Sequence, residues 1–338
     1  MRTNRLPATL AALLAFAALP ANAQIFRAYL ALDGNDANPC TLQQPCRLLP
    51  AALAAVASGG EFWMLDSANY NTGLVSVDKG VTILAVPGVL GSVVASGANA
   101  MLINTTAAVT LRNLNILPLS GNTNRVGITK AGAGTLMLQD CNIFGFSALN
   151  GGAMSLSGAT QTTITRSVIR DNRFGIVVTD GVALGISDTL FANNAQFAAR
   201  ASNNSATTRI TVTRSVARNS LVAFQVDAVN VDAVARLDIS ETRIEGTRGA
   251  TQYGVVVNGL AVAGAAASAT VSSSVISGMH VGISASGIAK AFITGSTITD
   301  SDIAVQQLDL ATVESAGNNA VRNNGTNVVG TLTPAAPL

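Results

Sequence analysis

Three charged residues at the ends of consecutive copies of one short strand motif are the best candidates for a catalytic centre. They are Asp180, Arg200 and Asp227. If the three strands stack in register, the side chains should lie within roughly 5 to 10 Å of one another. Carboxylates can hold Ca²⁺, and a basic side chain nearby can take a proton from a substrate. A solvated cluster of ion pairs at a loop edge is the interpretation that we favour, since it requires no chemistry.

His280 is the only histidine of the chain, and it is a second place where acid–base chemistry could occur. It lies in the segment Gly278-Met-His-Val-Gly282. Asp302, one repeat later in Ser301-Asp-Ile303, has no directly adjacent acidic residue to act as the partner of a general acid. We therefore interpret His280 as a residue of a surface turn.

The first 23 residues have the features of a secretory signal peptide. Arg2 and Arg5 precede an uncharged apolar stretch, and Ala21-Asn-Ala23 supplies the small residues that a signal peptidase needs. A membrane anchor is the alternative, but the apolar stretch is shorter than the roughly 20 residues that span a bilayer. We expect cleavage after Ala23 and an exported protein, located in the periplasm, outside the cell or at the cell surface.

Export to an oxidising compartment favours disulfide formation among the three cysteines. Cys40 and Cys46 flank Pro45, and we expect them to form a disulfide, because a metal site would need more ligands than a chain with one histidine offers. Cys141 is then a buried free thiol. The segment Asp33-Gly-Asn-Asp-Ala-Asn38 resembles a Ca²⁺ loop only in part, since Ala37 occupies a ligand position, and a turn is the better interpretation.

The composition excludes several classes of protein. Apolar residues make up 49% of the chain, aromatic residues 4% and charged residues 11%. This is too apolar for a disordered chain and too poor in charge for a helical bundle. Threonine and valine favour strands, and glycine and asparagine favour turns. A net charge of +2 gives no reason to expect nucleic acid or an anionic membrane as partner.

An internal repeat decides the fold class. The segment from Ile164 to Asn172 resembles the segment from Val212 to Ser220, and each is followed by a second short strand. The same frame starts at Leu111, Leu138, Ile164, Ile186, Val212, Ile239, Val271 and Ile293. Spacings of 22 to 32 residues, with strands and no amphipathic helix, exclude leucine-rich and ankyrin repeats and predict a parallel β-solenoid.

Two columns of the repeat predict how the coils stack. The fourth frame position carries small residues, which suits a tight bend: Cys141, Ser167, Thr189, Ser215, Thr242, Ser274 and Ser296. The third position carries charges of alternating sign: Asp140, Arg166, Asp188, Arg214 and Glu241. Neighbours of opposite sign on adjacent coils attract one another, so we interpret this column as a structural charge ladder that sets the register.

The ends of the solenoid should differ from its middle, because open strand edges invite aggregation. The segment from Cys46 to Val56 has helical spacing of apolar residues and predicts a short capping helix with Pro50 in its first turn. The predicted organisation is a signal peptide (1–23), an N-terminal cap with disulfide and helix (24–60), an all-β parallel β-helix (61–330) and a tail (331–338) that Pro334 and Pro337 prevent from extending a sheet.

The repeat resembles a known family. The spacing in Asn172-Arg-Phe-Gly-Ile176 is similar to that of the pectate-lyase-like superfamily of right-handed parallel β-helices, and the segments around Cys40, Cys46 and Gly317-Asn-Asn resemble secreted bacterial members. The resemblance implies a single-stranded right-handed solenoid. In polygalacturonases of this fold a Gly-His-Gly motif carries the chemistry. Here Met279 and Val281 flank His280, so that motif is absent.

The resemblance also indicates where a lyase would work, on outward residues of the strand after the asparagine turn. We expect these to be Thr129, Ser155, Val177, Ala198, Gln225, Val256, Ser284 and Gln306. Such residues do not hold Ca²⁺ or take protons. We therefore expect an exported, non-catalytic protein without cofactor, which either binds polysaccharide or cell-surface glycan or acts at the cell surface in another way.

Two alternatives remain. One is a pectin-lyase-like polysaccharide lyase or glycoside hydrolase, which would use Ca²⁺ as cofactor if it were a lyase. The other is an autotransporter passenger, although no membrane barrel follows the repeats in this sequence.

Overall fold

A computed structural model describes residues 24–119, 125–203, 206–260 and 262–335. The predicted signal peptide, residues 1–23, lies outside the described residues, as do the last three residues of the predicted tail. The rest of the chain winds into coils of three short strands each, and every strand pairs in parallel with its equivalent on the next coil. The all-β solenoid predicted from the repeat is therefore confirmed.

Three parallel sheets run the length of the solenoid, and we number them by their order within a coil. The first sheet contains β1 (Ile25–Leu30), β2 (Val56–Met64), β5 (Val81–Ala85), β8 (Val109–Arg112), β11 (Gly134–Gln139), β14 (Thr160–Thr165), β17 (Ala183–Ser187), β20 (Thr207–Thr213), β23 (Val234–Ser240), β26 (Ala266–Ser272), β29 (Lys290–Thr294), β32 (Thr312–Ser315) and β35 (Leu332–Pro334). The second sheet contains β3 (Ala68–Asn69), β6 (Gly91–Ala95), β9 (Leu114–Pro118), β12 (Asn142–Phe144), β15 (Val168–Arg170), β18 (Leu190–Ala192), β21 (Val216–Arg218), β24 (Arg243–Glu245), β27 (Val275–Ser277), β30 (Thr297–Thr299) and β33 (Ala320–Arg322). The third sheet contains β4 (Val75–Val77), β7 (Met101–Ile103), β10 (Val126–Lys130), β13 (Gly152–Leu156), β16 (Phe174–Val178), β19 (Phe197–Asn203), β22 (Val222–Ala228), β25 (Tyr253–Gly259), β28 (Val281–Gly287), β31 (Ile303–Gln307) and β34 (Thr326–Val329).

The register of the first sheet matches the predicted repeat. All eight frame starts, from Leu111 to Ile293, pair with one another on successive coils and point into the core. Each frame spans two strands, one in the first sheet and one in the second. The coil therefore has three strands where the repeat pattern showed two.

The core consists of stacked aliphatic side chains from all three sheets, with aromatic residues placed beside small ones. Phe191 in the second sheet pairs with Ala217 on the next coil, and Phe224 in the third sheet pairs with Ala199 on the preceding coil. The two rings meet edge to face, with 6.0 Å between their centroids. Close packing of this kind keeps the interior free of voids.

The bend between the first and second sheets is built from the small-residue column. Ser215 is typical: its hydroxyl accepts a bond from the backbone N–H of Thr189 at 3.2 Å and donates to the carbonyl of Thr213 at 2.8 Å. Similar bonds recur from Cys141 to Ser296, so the column satisfies buried backbone donors that the bend would otherwise leave unpaired. The residue before each of these side chains has a left-handed backbone.

The N-terminal end is closed by a short helix, α1 (Leu49–Ala55), which lies inside the segment predicted for it. Pro50 lies in its first turn, and Leu49, Ala52 and Leu53 are buried. The Lys79 ammonium donates to the carbonyls of Leu53 and Val56 and so pairs the last turn of the helix.

The expected disulfide between Cys40 and Cys46 is present. It closes the cap loop, and the Asp36 carboxylate of that loop accepts bonds from the backbone N–H groups of Arg47 and Leu48, at 2.9 and 2.8 Å. The partially Ca²⁺-like segment thus forms a turn that is tied to the start of α1. The strands β1 and β2 begin within residues 24–60, so the cap and the first coil overlap.

The prediction for the C-terminal tail was wrong in one respect. The strand β35 does extend the first sheet, where Leu332, Thr333 and Pro334 pair with Val313, Glu314 and Ser315. Proline is tolerated because β35 is an edge strand, where the missing backbone N–H of Pro334 does not interrupt pairing with a further strand. Before β35, the side chains of Asn319 and Asn324 accept hydrogen bonds from the backbone N–H groups of Ser296 and Ser301. They end the two columns of side chains that pair backbone N–H groups at the bends of successive coils.

Candidate functional site

The outer face of the third sheet holds two of the three residues that could form a catalytic centre. Arg200 pairs with Val177 on the preceding coil and with Gln225 on the next one, so it belongs to the predicted outward column. The expectation that Ala198 occupies this position was wrong, because Ala198 is fully buried. The turn after Asn194 is one residue longer than the turn after Asn172, so the outward position follows Asn194 by six residues, whereas the prediction had counted four.

Arg200 and Asp227 form an ion pair across adjacent coils. The Arg200 Nε atom donates to Oδ2 of Asp227 at 2.7 Å. The side chain of Asp227 is only 3% exposed, whereas that of Arg200 is 35% exposed. A carboxylate buried to this degree requires partners, and the guanidinium provides one of them.

Two amides supply the remaining partners of Asp227. The Gln225 amide donates to both carboxylate oxygens, at 2.8 and 3.0 Å, and the Asn258 amide donates to Oδ1 at 2.7 Å. The hydroxyl of Ser286 in turn donates to Oδ1 of Asn258 at 2.8 Å. We call the residues Arg200, Gln225, Asp227, Asn258 and Ser286 the Asp227 network. Because both oxygens of Asp227 are occupied from within the protein, neither is available to a metal or a substrate proton.

Asp180 lies apart from this network in the chain. It belongs to the turn that follows β16 and has a left-handed backbone, with φ of 49°. The strand before it ends at Val178, which pairs with Ala201, so Asp180 projects from the edge of the sheet and not from its outer face. The structure therefore brings Arg200 and Asp227 together and places Asp180 at the junction with the first sheet.

Aromatic rings border the Asp227 network on one side. The rings of Phe174 and Phe197 stack with 5.9 Å between centroids, and the Arg200 guanidinium lies 5.7 Å from the centroid of Phe197. Tyr253 follows two coils later in the same column, because Val222 pairs with Tyr253 and with Phe197. The face thus combines rings, amides, hydroxyls and one cation, which are the groups that bind sugar hydroxyls and the apolar faces of sugar rings.

A histidine–carboxylate pair lies at the edge of this face, and the sequence interpretation missed it. Nδ1 of His280 lies 3.1 Å from Oδ2 of Asp302, and the guanidinium of Arg248 lies 3.6 Å from the other oxygen of Asp302. The rings of Tyr253 and His280 meet edge to face at 5.8 Å. The signal was present, since both residues occupy the same turn position on adjacent coils, 22 residues apart.

The matching family model is the one described as right-handed beta helix region, and it covers residues 69–217. Among solved structures, the tailspike protein gp208 named Dettilon is similar with a TM-score of 0.59 and 12% identity, over 85% of this chain and 64% of that one. The GH136 lacto-N-biosidase from Eubacterium ramulus has a TM-score of 0.57 and 11% identity, over 91% and 67%. The polygalacturonase from Erwinia carotovora ssp. carotovora has a TM-score of 0.52 and 10% identity, over 91% and 97%.

The chain has the fold of a right-handed parallel β-helix. The β-helix spans about two thirds of the length of the tailspike and the biosidase. At 10 to 12% identity these similarities establish the fold. No curated protein sequence matches the chain.

Charges elsewhere on the β-helix form the ladder between its first and second sheets. Arg166 donates from Nε and Nη2 to Asp140, at 2.8 and 3.0 Å, and Arg214 donates to Asp188 in the same way, at 2.9 and 3.1 Å. The hydrogen bond to Asp188 raises the pKa of Arg214, and the charge of Glu241 on the next coil adds a smaller increase. All five residues of the column are left-handed, with φ between 43° and 55°.

The described part of the β-helix contains no group of three or more histidine, cysteine or acidic side chains placed to hold a metal ion. Within the same ranges, no helix is long and apolar enough to cross a membrane. Cys141 is buried at the bend, and burial raises the pKa of its thiol to about 11.

Proposed function

We propose that this β-helix is an exported, non-catalytic protein that binds glycan through the outer face of its third sheet. The observation that carries the proposal is the Asp227 network. The one carboxylate on this face is buried and accepts hydrogen bonds from Arg200, Gln225 and Asn258, so it cannot act as a general base or as a Ca²⁺ ligand without losing them.

The other residues of the outward column have no acid–base function near neutral pH. Val177 and Val256 are apolar, and Ser284 and Gln306 are neutral hydrogen-bonding groups. A lyase requires a base at the sugar carbon and a cation at the uronate carboxylate. Among the described residues of the outward column, the Arg200 guanidinium is the one charged and accessible group, and it is held by Asp227.

The same composition suits binding. A flat parallel sheet repeats its side chains at about 4.8 Å, so a chain of sugars can contact several coils at once. Phe174 and Tyr253 are half-buried and offer apolar surface, and the half-buried amide of Gln306 offers a hydrogen-bond donor and acceptor. Two of the similar structures, the lacto-N-biosidase and the polygalacturonase, are named for enzymes that act on glycans, and this supports the choice of ligand class.

Export is supported by the predicted signal peptide and by the disulfide between Cys40 and Cys46, which forms in oxidising compartments. The corresponding test is mass analysis of the protein recovered outside the cytoplasm. Its N-terminus should be Gln24, and a protein that retains Met1 and its two cap thiols would contradict export.

The experiment for glycan binding is a glycan array followed by titration of the best ligand. We expect Arg200→Ala to weaken binding about tenfold, because a charge-assisted hydrogen bond contributes on the order of 1.5–3 kcal/mol. Thr211→Ala, on the outer face of the first sheet, is the matched control and should leave the affinity unchanged. An array without any binding, or equal affinities for the two variants, would overturn the proposal.

One observation favours a second candidate, a polysaccharide lyase or hydrolase. The His280–Asp302 pair is the arrangement in which a carboxylate orients an imidazole and leaves its other nitrogen for a substrate. Turnover of a polysaccharide that His280→Ala abolishes, and that the conservative variant Tyr253→Phe retains, would promote this candidate.

A further inference from the structure

A cleft on the first coils, remote in sequence from the third-sheet face, contains the single tryptophan of the chain. It measures about 540 Å³ and lies where the first sheet turns towards the second. Its walls are formed by Trp63, Leu84, Val86, Pro87, Arg112 and Asp140. We call it the Trp63 cleft.

The apolar wall of the Trp63 cleft is a tight turn that is held in place. The backbone N–H of Val89 donates to the carbonyl of Val86 at 3.1 Å, and Gly88 supplies the left-handed residue that follows Pro87, with φ of 86°. The Asn113 amide donates to the carbonyls of Ala85 and Val86, at 3.1 and 3.3 Å. The cleft is therefore formed before any ligand arrives.

The indole of Trp63 is also fixed. Its neighbours in the first sheet are Tyr29 and Leu84, and the ring of Tyr29 meets it edge to face at 6.2 Å. The Arg27 guanidinium lies 4.2 Å from the centroid of the indole ring. Arg27 is itself paired with Glu61, so this cation is already neutralised.

The charge of the cleft comes from Arg112. Arg112 is exposed, and in the described parts of the chain it forms neither an ion pair nor a hydrogen bond through its side chain. Asp140, which also lines the cleft, is occupied by the guanidinium of Arg166 through both of its oxygens. The cleft thus presents a fixed ring, an apolar turn and one uncompensated guanidinium.

We propose that the Trp63 cleft binds an anionic sugar residue, with the sugar ring between Trp63 and Pro87 and its carboxylate or sulfate on Arg112. A guanidinium presents a planar fork of donors that matches either anion. The choice of a sugar rests on the proposed function, whereas the preference for an anion rests on Arg112 alone. This subsite would bind a charged residue of a glycan independently of the third-sheet face.

Fluorescence excited at a wavelength that tyrosine does not absorb tests this directly, because Trp63 is the single tryptophan of the chain. The probes are galacturonate, galactose 6-sulfate and galactose, which share one ring and differ at a single carbon, each added at matched ionic strength. We expect a saturable change with one or both anionic sugars and none with galactose. Equal responses to all three sugars, or no response to either anionic sugar, would overturn the proposal.

Variants separate a specific site from general attraction. Arg112→Gln should weaken the response to the anionic sugars about tenfold, as expected for loss of a charge-assisted pair. Arg236→Gln removes another exposed arginine, on β23, and should change nothing. If both variants weaken binding equally, the cleft has no specific role.

The two experiments distinguish failure of the Trp63 cleft proposal from failure of the proposed glycan binding by the third-sheet face. Array binding that Arg200→Ala weakens, without any response of Trp63, would leave the third-sheet face as the glycan site and refute the cleft. A response of Trp63 that Arg112→Gln weakens, together with array binding that is insensitive to Arg200→Ala, would do the reverse.

Discussion

Single residues in this β-helix serve the backbone more than they serve chemistry. The small-residue column suggested a bend, but its purpose becomes clear only from the hydrogen bonds. Each hydroxyl receives a buried N–H from the preceding coil, as Ser215 does from Thr189. A sequence shows that a position is small and polar, whereas the partner of its hydroxyl depends on coil geometry. For the same reason, Gln225 and Asn258 were not predicted as the hydrogen-bond partners of Asp227.

Ser215→Ala should lower the free energy of unfolding by about 1–3 kcal/mol, because it leaves the buried N–H of Thr189 without an acceptor. Denaturant unfolding measures the difference. Thr211→Ala, on the exposed side of β20, is the control and should change stability by less than about 0.5 kcal/mol. Equal effects of the two changes would show that the hydroxyl column does not stabilise the bend.

Cys141 should be unreactive in the folded protein. Burial raises the pKa of its thiol to about 11, so the thiolate is scarce near neutral pH, and the side chain is inaccessible to reagents. Alkylation followed by mass mapping should modify Cys141 only after denaturation, with Cys40 and Cys46 recovered as a disulfide. Rapid alkylation of Cys141 in the folded protein would contradict its place in the core.

At the scale of elements, the turns determine which residues face outward. The charge ladder was visible as alternating signs, but its left-handed backbone was not, since glutamate and arginine are unusual at positive φ. The third-sheet face shows the opposite problem. Arg200 follows Asn194 by six residues, whereas Val177 follows Asn172 by five, and the predicted Ala198, four residues after Asn194, is buried. A fixed period counted from the sequence does not predict such a change in turn length.

The ladder should respond to charge reversal and to pH. The hydrogen bond from Arg214 lowers the pKa of Asp188, so this carboxylate favours the folded state above its usual pKa, and the contribution is lost as the pH falls through the lowered value. Asp188→Arg alone should destabilise the β-helix, and adding Arg214→Asp should restore part of the loss. Thermal unfolding at a series of pH values from 7 downward measures both effects, which should be small because the paired side chains are exposed. A double variant no more stable than the single one would show that the column is not a ladder.

At the scale of the whole molecule, the fold was predictable because each coil of a solenoid carries the same sequence pattern. Eight imperfect copies of one frame fix the strand period, the core column and the stacking direction, even though no copy is convincing by itself. Function has no such redundancy. The Trp63 cleft, the Asp227 network and the His280–Asp302 pair each occur once, and each combines residues from different coils.

Turnover of acidic polysaccharides tests the proposed absence of catalysis most directly. The purified protein, freed of its signal peptide, is incubated with polygalacturonate and with alginate, with and without Ca²⁺, beside an active pectate lyase as control. A lyase product is unsaturated and absorbs in the ultraviolet, and reducing ends report hydrolysis. We expect neither signal, because Asp227, the carboxylate found among the described residues of the third-sheet face, is held by three side chains of the protein. Product formation that Arg200→Ala or His280→Ala abolishes, in a variant that remains folded, would contradict the non-catalytic function and establish an enzyme.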